Sequence, residues 1–346
     1  MAKKDIKKKI RVACAMSGGV DSATAAGLLK SAGFEAAGIF ARLAADKSGD
    51  EKRAKAVCDK LGISFCVVDL RAEFEKRIVD EFAAGTKRGT TPNPCVFCNE
   101  KIKFGRLMAA ALRSGADYFA TGHYCQIKID KNGIYRLFKG ADEKKDQSYF
   151  LWRLSQKQLG KIIFPLGSFK KDDVKELAKF WSLPAAGAVE SQDVCFVSGR
   201  PADFFKKRLG ENPGNIFDAD AKKIVGRHCG LWFYTVGQRK GIGLSGGPFY
   251  VVGKNSAKNR LLVSKEMPAA DLVKLSNINW IAGMPPELPL KISAKIRYRA
   301  KAAAAVLDKI GKDYVLRFAK PQFAPTPGQS AVFYVRGELI GGGIIK

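Results

Sequence analysis

Ile10-Arg11-Val12-Ala13-Cys14-Ala15-Met16-Ser17-Gly18-Gly19-Val20-Asp21-Ser22 is the stretch that decides the fold. An apolar, strand-like run from Ile10 to Met16 ends in a Gly-Gly turn flanked by hydroxyls. A helix-like segment, Ala23 to Ser31, follows at once. A strand, a glycine turn and a helix N-terminus together make an anion site, because backbone N–H groups point outward and the helix dipole adds positive potential. The glycines let the backbone approach a phosphate closely. The loop lacks the Gly-Lys-Ser/Thr ending of a Walker motif and is not GxGxxG. The plain alternative is an ordinary glycine-rich turn. Loop, flanks and position together favour the anion site.

Downstream, strands and helices alternate. Phe34–Ala41, Ile63–Leu70 and Ala116–Ala120 read as further strands. Asp50–Leu61, Ala72–Ala84 and Asn99–Ser114 read as helices; the first places Ala54, Val57, Cys58 and Leu61 on one face at helical spacing. Such alternation predicts an α/β, Rossmann-like, doubly wound parallel sheet. Ligands of such sheets bind beyond the strands' carboxyl ends, so the Gly18-Gly19 loop, the Thr121-Gly122-His123 turn and the Pro-rich loop Thr90–Cys95 are expected neighbours. From about Arg200 glycine and proline become frequent and helices fade. Beyond Leu272 the chain alternates with period two through Leu290–Arg297, Ala304–Asp308, Tyr314–Phe318, Ser330–Tyr334 and Glu338–Ile340, with turns at Gly311-Lys312 and Arg336-Gly337. This predicts a small C-terminal β-barrel. The expected domains are residues 1–203 (catalytic), 204–270 (a small central domain) and 271–346 (the barrel).

The chain has 346 residues, an ordinary hydrophobic fraction of 46% and a formal net charge of +27. That charge points to a polyanionic partner, most often nucleic acid, with a solvated lysine-rich surface as the bland alternative. No apolar run approaches the roughly 20 residues of a membrane span, and no signal-peptide core follows Lys3–Lys9. A cytoplasmic location is expected.

Of eight cysteines, Cys14, Cys58, Cys66, Cys125 and Cys229 read as structural or incidental. Cys95, Cys98 and Cys195 sit in polar, turn-rich surroundings. In Thr91-Pro92-Asn93-Pro94-Cys95-Val96-Phe97-Cys98-Asn99 two prolines stiffen the approach to the thiols. Cys98 is expected to open a helix from Asn99, which would lower its pKa, with Lys101 and Lys103 acting the same way. A zinc site needs two more good ligands, and no second CxxC exists, so no metal site is expected. Ser191-Gln192-Asp193-Val194-Cys195-Phe196 offers a candidate partner thiol. Lys145-Asp146-Gln147-Ser148-Tyr149-Phe150 is a polar cluster in which Asp146 or Ser148 can cap a helix. Tyr234-Thr235-Val236-Gly237-Gln238-Arg239-Lys240-Gly241 is a basic glycine-rich segment suited to phosphate. In Lys295-Ile296-Arg297-Tyr298-Arg299, one strand face can meet an RNA backbone while Tyr298 offers a stacking ring, with solvated basic strands and turns as the alternative for both segments.

The Ser-Gly-Gly-x-Asp-Ser loop resembles the pyrophosphate loop of enzymes that split ATP to AMP and pyrophosphate. The chain as a whole resembles the bacterial tRNA-specific 2-thiouridylases, which thiolate the wobble uridine of the lysine, glutamate and glutamine tRNAs. Matching stretches run through Met16–Ser22, Thr91–Cys98, Thr121-Gly122-His123-Tyr124, Lys145–Phe150, Ser191–Phe196, Thr235–Gly243, Arg297-Tyr298-Arg299, Pro327-Gly328-Gln329-Ser330 and Gly341-Gly342-Gly343.

The resemblance implies ATP bound by Ala15, Met16, Ser17, Gly18, Gly19, Val20, Asp21 and Ser22, with Ala41 and Gly122 nearby and Mg²⁺ on the leaving pyrophosphate. It implies attack of the flipped uridine's 2-carbonyl oxygen on the α-phosphorus. Cys195 would carry a persulfide sulfur from a cysteine desulfurase or sulfur-relay protein, and Cys98 would close a transient disulfide with Cys195. Asn93, Pro94 and Cys95 would border the base, and Lys145, Asp146, Gln147, Arg297 and Tyr298 would contact tRNA. Two departures stand out. Cys95 takes the place of an Asp given an acid/base role in some relatives. Ala41 takes the place of a Met that often lines the adenine pocket, and the segment after it is shorter than usual. The alternatives are an iron–sulfur tRNA thiolase using Cys95, Cys98 and Cys195, an amidating ligase that needs no cysteines, and a non-catalytic RNA-binding protein.

Overall fold

In the computed structural model the described residues are 9–44, 48–188, 194–197 and 199–346. The expectations for the basic N-terminus and for Ser191–Asp193 lie outside them. Strand β1 (Arg11–Met16) runs into the helix Val20–Ser31, then β2 (Glu35–Arg42), the helix Ser48–Leu61, and β3 (Ser64–Asp69). After a long helical region the chain returns as β4 (Tyr118–Ala120), makes a hairpin of β5 (Cys125–Ile129) and β6 (Tyr135–Lys139), and adds the short β7 (Ile162–Ile163). Strands β3-β2-β1-β4-β7 form one parallel sheet, the doubly wound architecture expected. The run Val12–Cys14 is nearly inaccessible, which is why it reads as unbroken apolar sequence rather than an alternating one. Strand order reverses between β1 and β4. The loops leaving these two strands therefore flank the crevice where such sheets bind ligands.

The middle of the chain begins with a helix, Pro201–Leu209. A four-stranded sheet follows, built from β8 (Gly214–Asp218), β9 (Lys223–His228), β10 (Tyr250–Asn255) and β11 (Arg260–Ser264) in the order β10-β11-β8-β9. The C-terminal strands are β12 (Ala269–Trp280), β13 (Leu290–Lys295), β14 (Ala303–Ile310), β15 (Asp313–Phe323), β16 (Ser330–Val335) and β17 (Glu338–Ile345). They close into a six-stranded barrel, because β12 pairs with both β15 and β17. The β5–β6 hairpin of the first sheet's domain adds to this barrel: Leu339 of β17 pairs with Leu137 of β6. One hydrophobic core accordingly holds Phe104, Phe119, Leu137, Tyr149 and Trp152 together with Val332, Tyr334 and Leu339 of the barrel. No helix among the described residues is long and apolar enough to cross a membrane.

Candidate active site

The loop after β1 is stapled by its own hydroxyls. Ser17 N–H donates to Ser22 Oγ at 3.1 Å, and Ser22 Oγ–H donates to the Gly19 carbonyl at 3.0 Å. Gly19 is the N-cap of the following helix, and no side chain caps its first turn. The orphan N–H groups at that end are therefore left open to an anion. Asp21, in the same turn, is gripped from two other elements. Tyr124 Oη–H donates to its Oδ1 at 2.7 Å and Lys171 Nζ donates to the same oxygen at 2.6 Å. Lys171 begins the helix Lys171–Phe180 and its side chain is only 5% exposed. Sequence reasoning missed this lysine because Lys170-Lys171-Asp172-Asp173 looks like any charged helix start.

The turn after β4 completes the crevice. A Cβ on Gly122 would lie 2.8 Å from the Asp21 carbonyl carbon and 2.9 Å from Ser22 N, so only glycine lets the two loops touch. His123 is buried, with Nδ1 2.7 Å from Thr121 Oγ1, and burial together with the charge of Lys103 holds its pKa well below the usual histidine value. Its ring lies 5.6 Å from that of Phe104. Ala15 and Ala41 are partly buried beside this core.

The cysteine loop departs from expectation at one point. The helix starts at Pro94, not Asn99. Asn93 caps it, its Oδ1 accepting from Cys95 N–H at 3.1 Å, and Pro94 takes the first position. Cys98 is the last residue of Pro94–Cys98, and the chain continues without a break into the π-helical Asn99–Leu107. It therefore gains no free helix N-terminus. It is 7% exposed, and burial pushes its thiol up to about 12, only partly offset by Lys103. The expected lowered pKa is corrected accordingly. Cys95 is half-buried, and burial raises its pKa too.

Cys195 lies in an exposed turn, yet its charge acts on both Cys95 and Cys98, as does that of Lys103. Phe196 anchors this turn, meeting Phe74 and Phe82 edge-on at 5.7 and 5.6 Å. The three cysteines expected at the site thus share one electrostatic neighbourhood. All eight cysteines are free thiols. Among the described residues no three His, Cys, Asp or Glu side chains gather to hold a metal ion. Of the other five cysteines, Cys14, Cys58 and Cys125 are buried, whereas Cys66 and Cys229 are exposed.

The remaining expected residues fall into two groups. Asp146 is buried and serves the interior: Oδ1 accepts from Gly140 N–H at 3.2 Å and Ser148 N–H at 3.1 Å, and Oδ2 accepts from Ser148 Oγ–H at 3.0 Å. Gln147 Oε1 accepts from Tyr124 N–H at 3.1 Å. Arg297 Nη2 donates to the carbonyls of Val236 and Ala324 and to Thr326 Oγ1, which ties the 235–241 loop to the barrel. Nearer the surface, the partly buried Tyr298 lies 4.4 Å from Phe150, ring to ring. Lys145 is partly exposed.

Family models cover the chain end to end. A tRNA methyl transferase HUP domain matches residues 10–199, a tRNA methyl transferase PRC-barrel domain matches 202–265, and an aminomethyltransferase beta-barrel domain matches 270–345. The tRNA-specific 2-thiouridylase MnmA of Syntrophomonas wolfei is 43% identical over 340 residues, which is 97% of this chain and 100% of that protein. The chain belongs to the tRNA-specific 2-thiouridylase family. Its relative from Carboxydothermus hydrogenoformans, of the same name, is 41% identical over 99% of both chains. A looser likeness links this family member to the U34-tRNA thiolase NcsA from Methanococcus maripaludis with its [4Fe-4S] cluster. The TM-score there is 0.37 at 21% identity, over 60% of this chain and 67% of that one.

Proposed function

We propose that this protein is a tRNA sulfurtransferase. It cleaves ATP to AMP and pyrophosphate and replaces the 2-oxygen of the wobble uridine with sulfur. One observation carries the reading. The Thr121–Tyr124 turn touches the anion loop at one end, through Gly122 and Tyr124, and packs through His123 on Phe104 of the π-helical segment that continues from Cys98 at the other. This adjacency supports a reading in which an adenylating centre and a thiol centre work side by side. The family models carry methyl- and aminomethyl-transfer descriptions, but neither reaction calls for an anion loop joined to three thiols.

The uncapped helix N-terminus binds the phosphates, and Lys171 is poised to move from Asp21 to a phosphate oxygen. The Asp21 carboxylate is a hard oxygen donor that fits a magnesium ion, which when bound neutralises the leaving pyrophosphate. The uridine 2-oxygen attacks the α-phosphorus, and C2 then carries AMP as leaving group. A persulfide on Cys195, loaded by a cysteine desulfurase or a sulfur-relay protein, attacks C2 through its outer sulfur and expels AMP. The Cys98 thiolate then attacks Cys195 Sγ. The S–S bond breaks, its electron pair goes to the sulfur on C2, and a Cys98–Cys195 disulfide remains for an external dithiol to reduce. Asn93, Pro94 and Cys95 border the base. Lys145, Gln147 and Tyr298 face the anticodon arm, with Asp146 and Arg297 shaping that surface from beneath. The substrates are the lysine, glutamate and glutamine tRNAs.

Nucleoside mass spectrometry of tRNA tests this. A strain relying on Cys98→Ser or Cys195→Ser should lose wobble 2-thiouridine at least a hundredfold. Unchanged 2-thiouridine in both strains refutes the thiol mechanism.

A further inference from the structure

The Pro327-Gly328-Gln329-Ser330 turn enters β16 of the barrel, yet its contacts lie on the cysteine loop. Thr91 N–H donates to the Pro327 carbonyl at 2.8 Å, and Gln329 Nε2 donates to the Thr91 carbonyl at 2.7 Å. Both backbone polar groups of Thr91 are thus satisfied by the barrel rather than by their own domain. Gly328 sits between these bonds at φ +92°. A Cβ there would be strained by the backbone and would lie 2.9 Å from Thr91 N and from Thr90 Cβ. The turn itself is rigid. Gly328 N–H donates to the Ile345 carbonyl, and Ile345 N–H donates back to the Gln329 carbonyl, each at 2.9 Å.

On the other side, Ser330 holds the segment that backs the same loop. Its carbonyl accepts from Tyr149 Oη–H at 2.9 Å, and its Oγ accepts from Trp152 Nε1–H at 3.0 Å. Beside Tyr149, the Phe150 carbonyl accepts at 3.3 Å from Nδ2 of Asn99, the residue that follows the Pro94–Cys98 helix. Between Thr91 and Cys95 the chain contains Pro92 and Pro94, which remove backbone freedom. A constraint on Thr91 therefore travels to the helix that carries Cys95 and Cys98.

We infer that Gln329 is a positioning residue: the barrel turn clamps Thr91 and so fixes the Asn93–Cys98 segment against Cys195 and the target base. The consequence for catalysis rests on the thiolation reading; the consequence for Cys98 accessibility does not.

The full-length protein and its Gln329→Ala and Gln329→Glu variants provide the test. Glutamate keeps the shape of glutamine and removes the N–H donor. Iodoacetamide labelling of Cys98 is followed by mass spectrometry, with the deeply buried Cys14 as internal control. Both variants should label Cys98 about tenfold faster, with Cys14 unchanged. Both should lower kcat for tRNA thiolation about tenfold, with KM for ATP within about twofold. Wild-type Cys98 labelling in both variants overturns the clamp. So does equal acceleration of Cys14 with a lowered Tm, which marks general loosening. If the wild-type protein forms no 2-thiouridine, the thiolation reading fails, while the labelling ratio still decides the clamp.

Discussion

At the scale of single residues, Cys98 shows how burial and reactivity pull apart. A thiol at an open helix N-terminus gains thiolate character, but Cys98 sits one helical turn further in and its charge would have to leave water. With a pKa near 12, it stays a thiol through the neutral range. Lys103, whose charge reaches Cys95, Cys98 and His123, opposes that rise. In the proposed mechanism, attack of Cys98 on Cys195 therefore waits until the local charge balance changes. Alkylation of Cys98 in the free protein should rise about tenfold per pH unit from pH 7 to 10 with no plateau, measured by mass spectrometry at fixed reagent concentration. A plateau below pH 9 would show a readily ionised thiol and sink this account. Cys95 and Cys98 were singled out from their polar, proline-flanked setting. Their ionisation was not legible, because it depended on whether the helix starts at Pro94 or at Asn99, and Pro94 favours the earlier start by needing no N–H.

At the scale of elements, the parallel sheet was legible where strands are buried on both faces and read as apolar runs. The β5–β6 hairpin was not. Of Cys125-Gln126-Ile127-Lys128-Ile129 only Cys125 is buried, and the outer neighbour of its partner β6 is β17, some two hundred residues away. The central strands were missed for a similar reason: Lys223–His228 mixes lysine, glycine and arginine and has a single buried residue. The helix Lys171–Phe180 was missed as well, and with it the lysine paired to Asp21. Its Val174 carbonyl accepts from Thr24 Oγ1–H at 3.3 Å, which locks it to the helix after the anion loop and delivers Lys171 to Asp21. Replacing Lys171 by alanine removes a charge-assisted bond to the triphosphate, worth about 1.5–3 kcal/mol. The kcat/KM for ATP should fall roughly tenfold to a hundredfold, while tRNA binding in a filter assay without ATP stays within about twofold. An unchanged ATP dependence would mean that the lysine only braces Asp21.

At the scale of the whole molecule, the barrel is not an appended RNA-binding module. Leu137, Tyr149, Leu151, Trp152 and Leu154 are each at most 1% exposed, in a core that they share with Val332, Tyr334 and Leu339. Trp152 lies against Gly342, where a Cβ would come within 2.7 Å of its ring. Asn279 Nδ2 donates to the carbonyls of Trp152 and Leu154 at 2.7 and 3.2 Å. A chain ending at residue 270 would uncover these side chains and leave β6 without β17. Each large apolar side chain returned to water costs about 1.5–3 kcal/mol, so five of them cost on the order of 10 kcal/mol. That matches the entire stability of an ordinary domain, about 5–15 kcal/mol. The truncated protein should therefore bind a hydrophobic dye strongly, elute as aggregate from a sizing column and show no cooperative thermal transition. A monomeric truncation with a Tm close to that of the full chain would show that the shared core is dispensable.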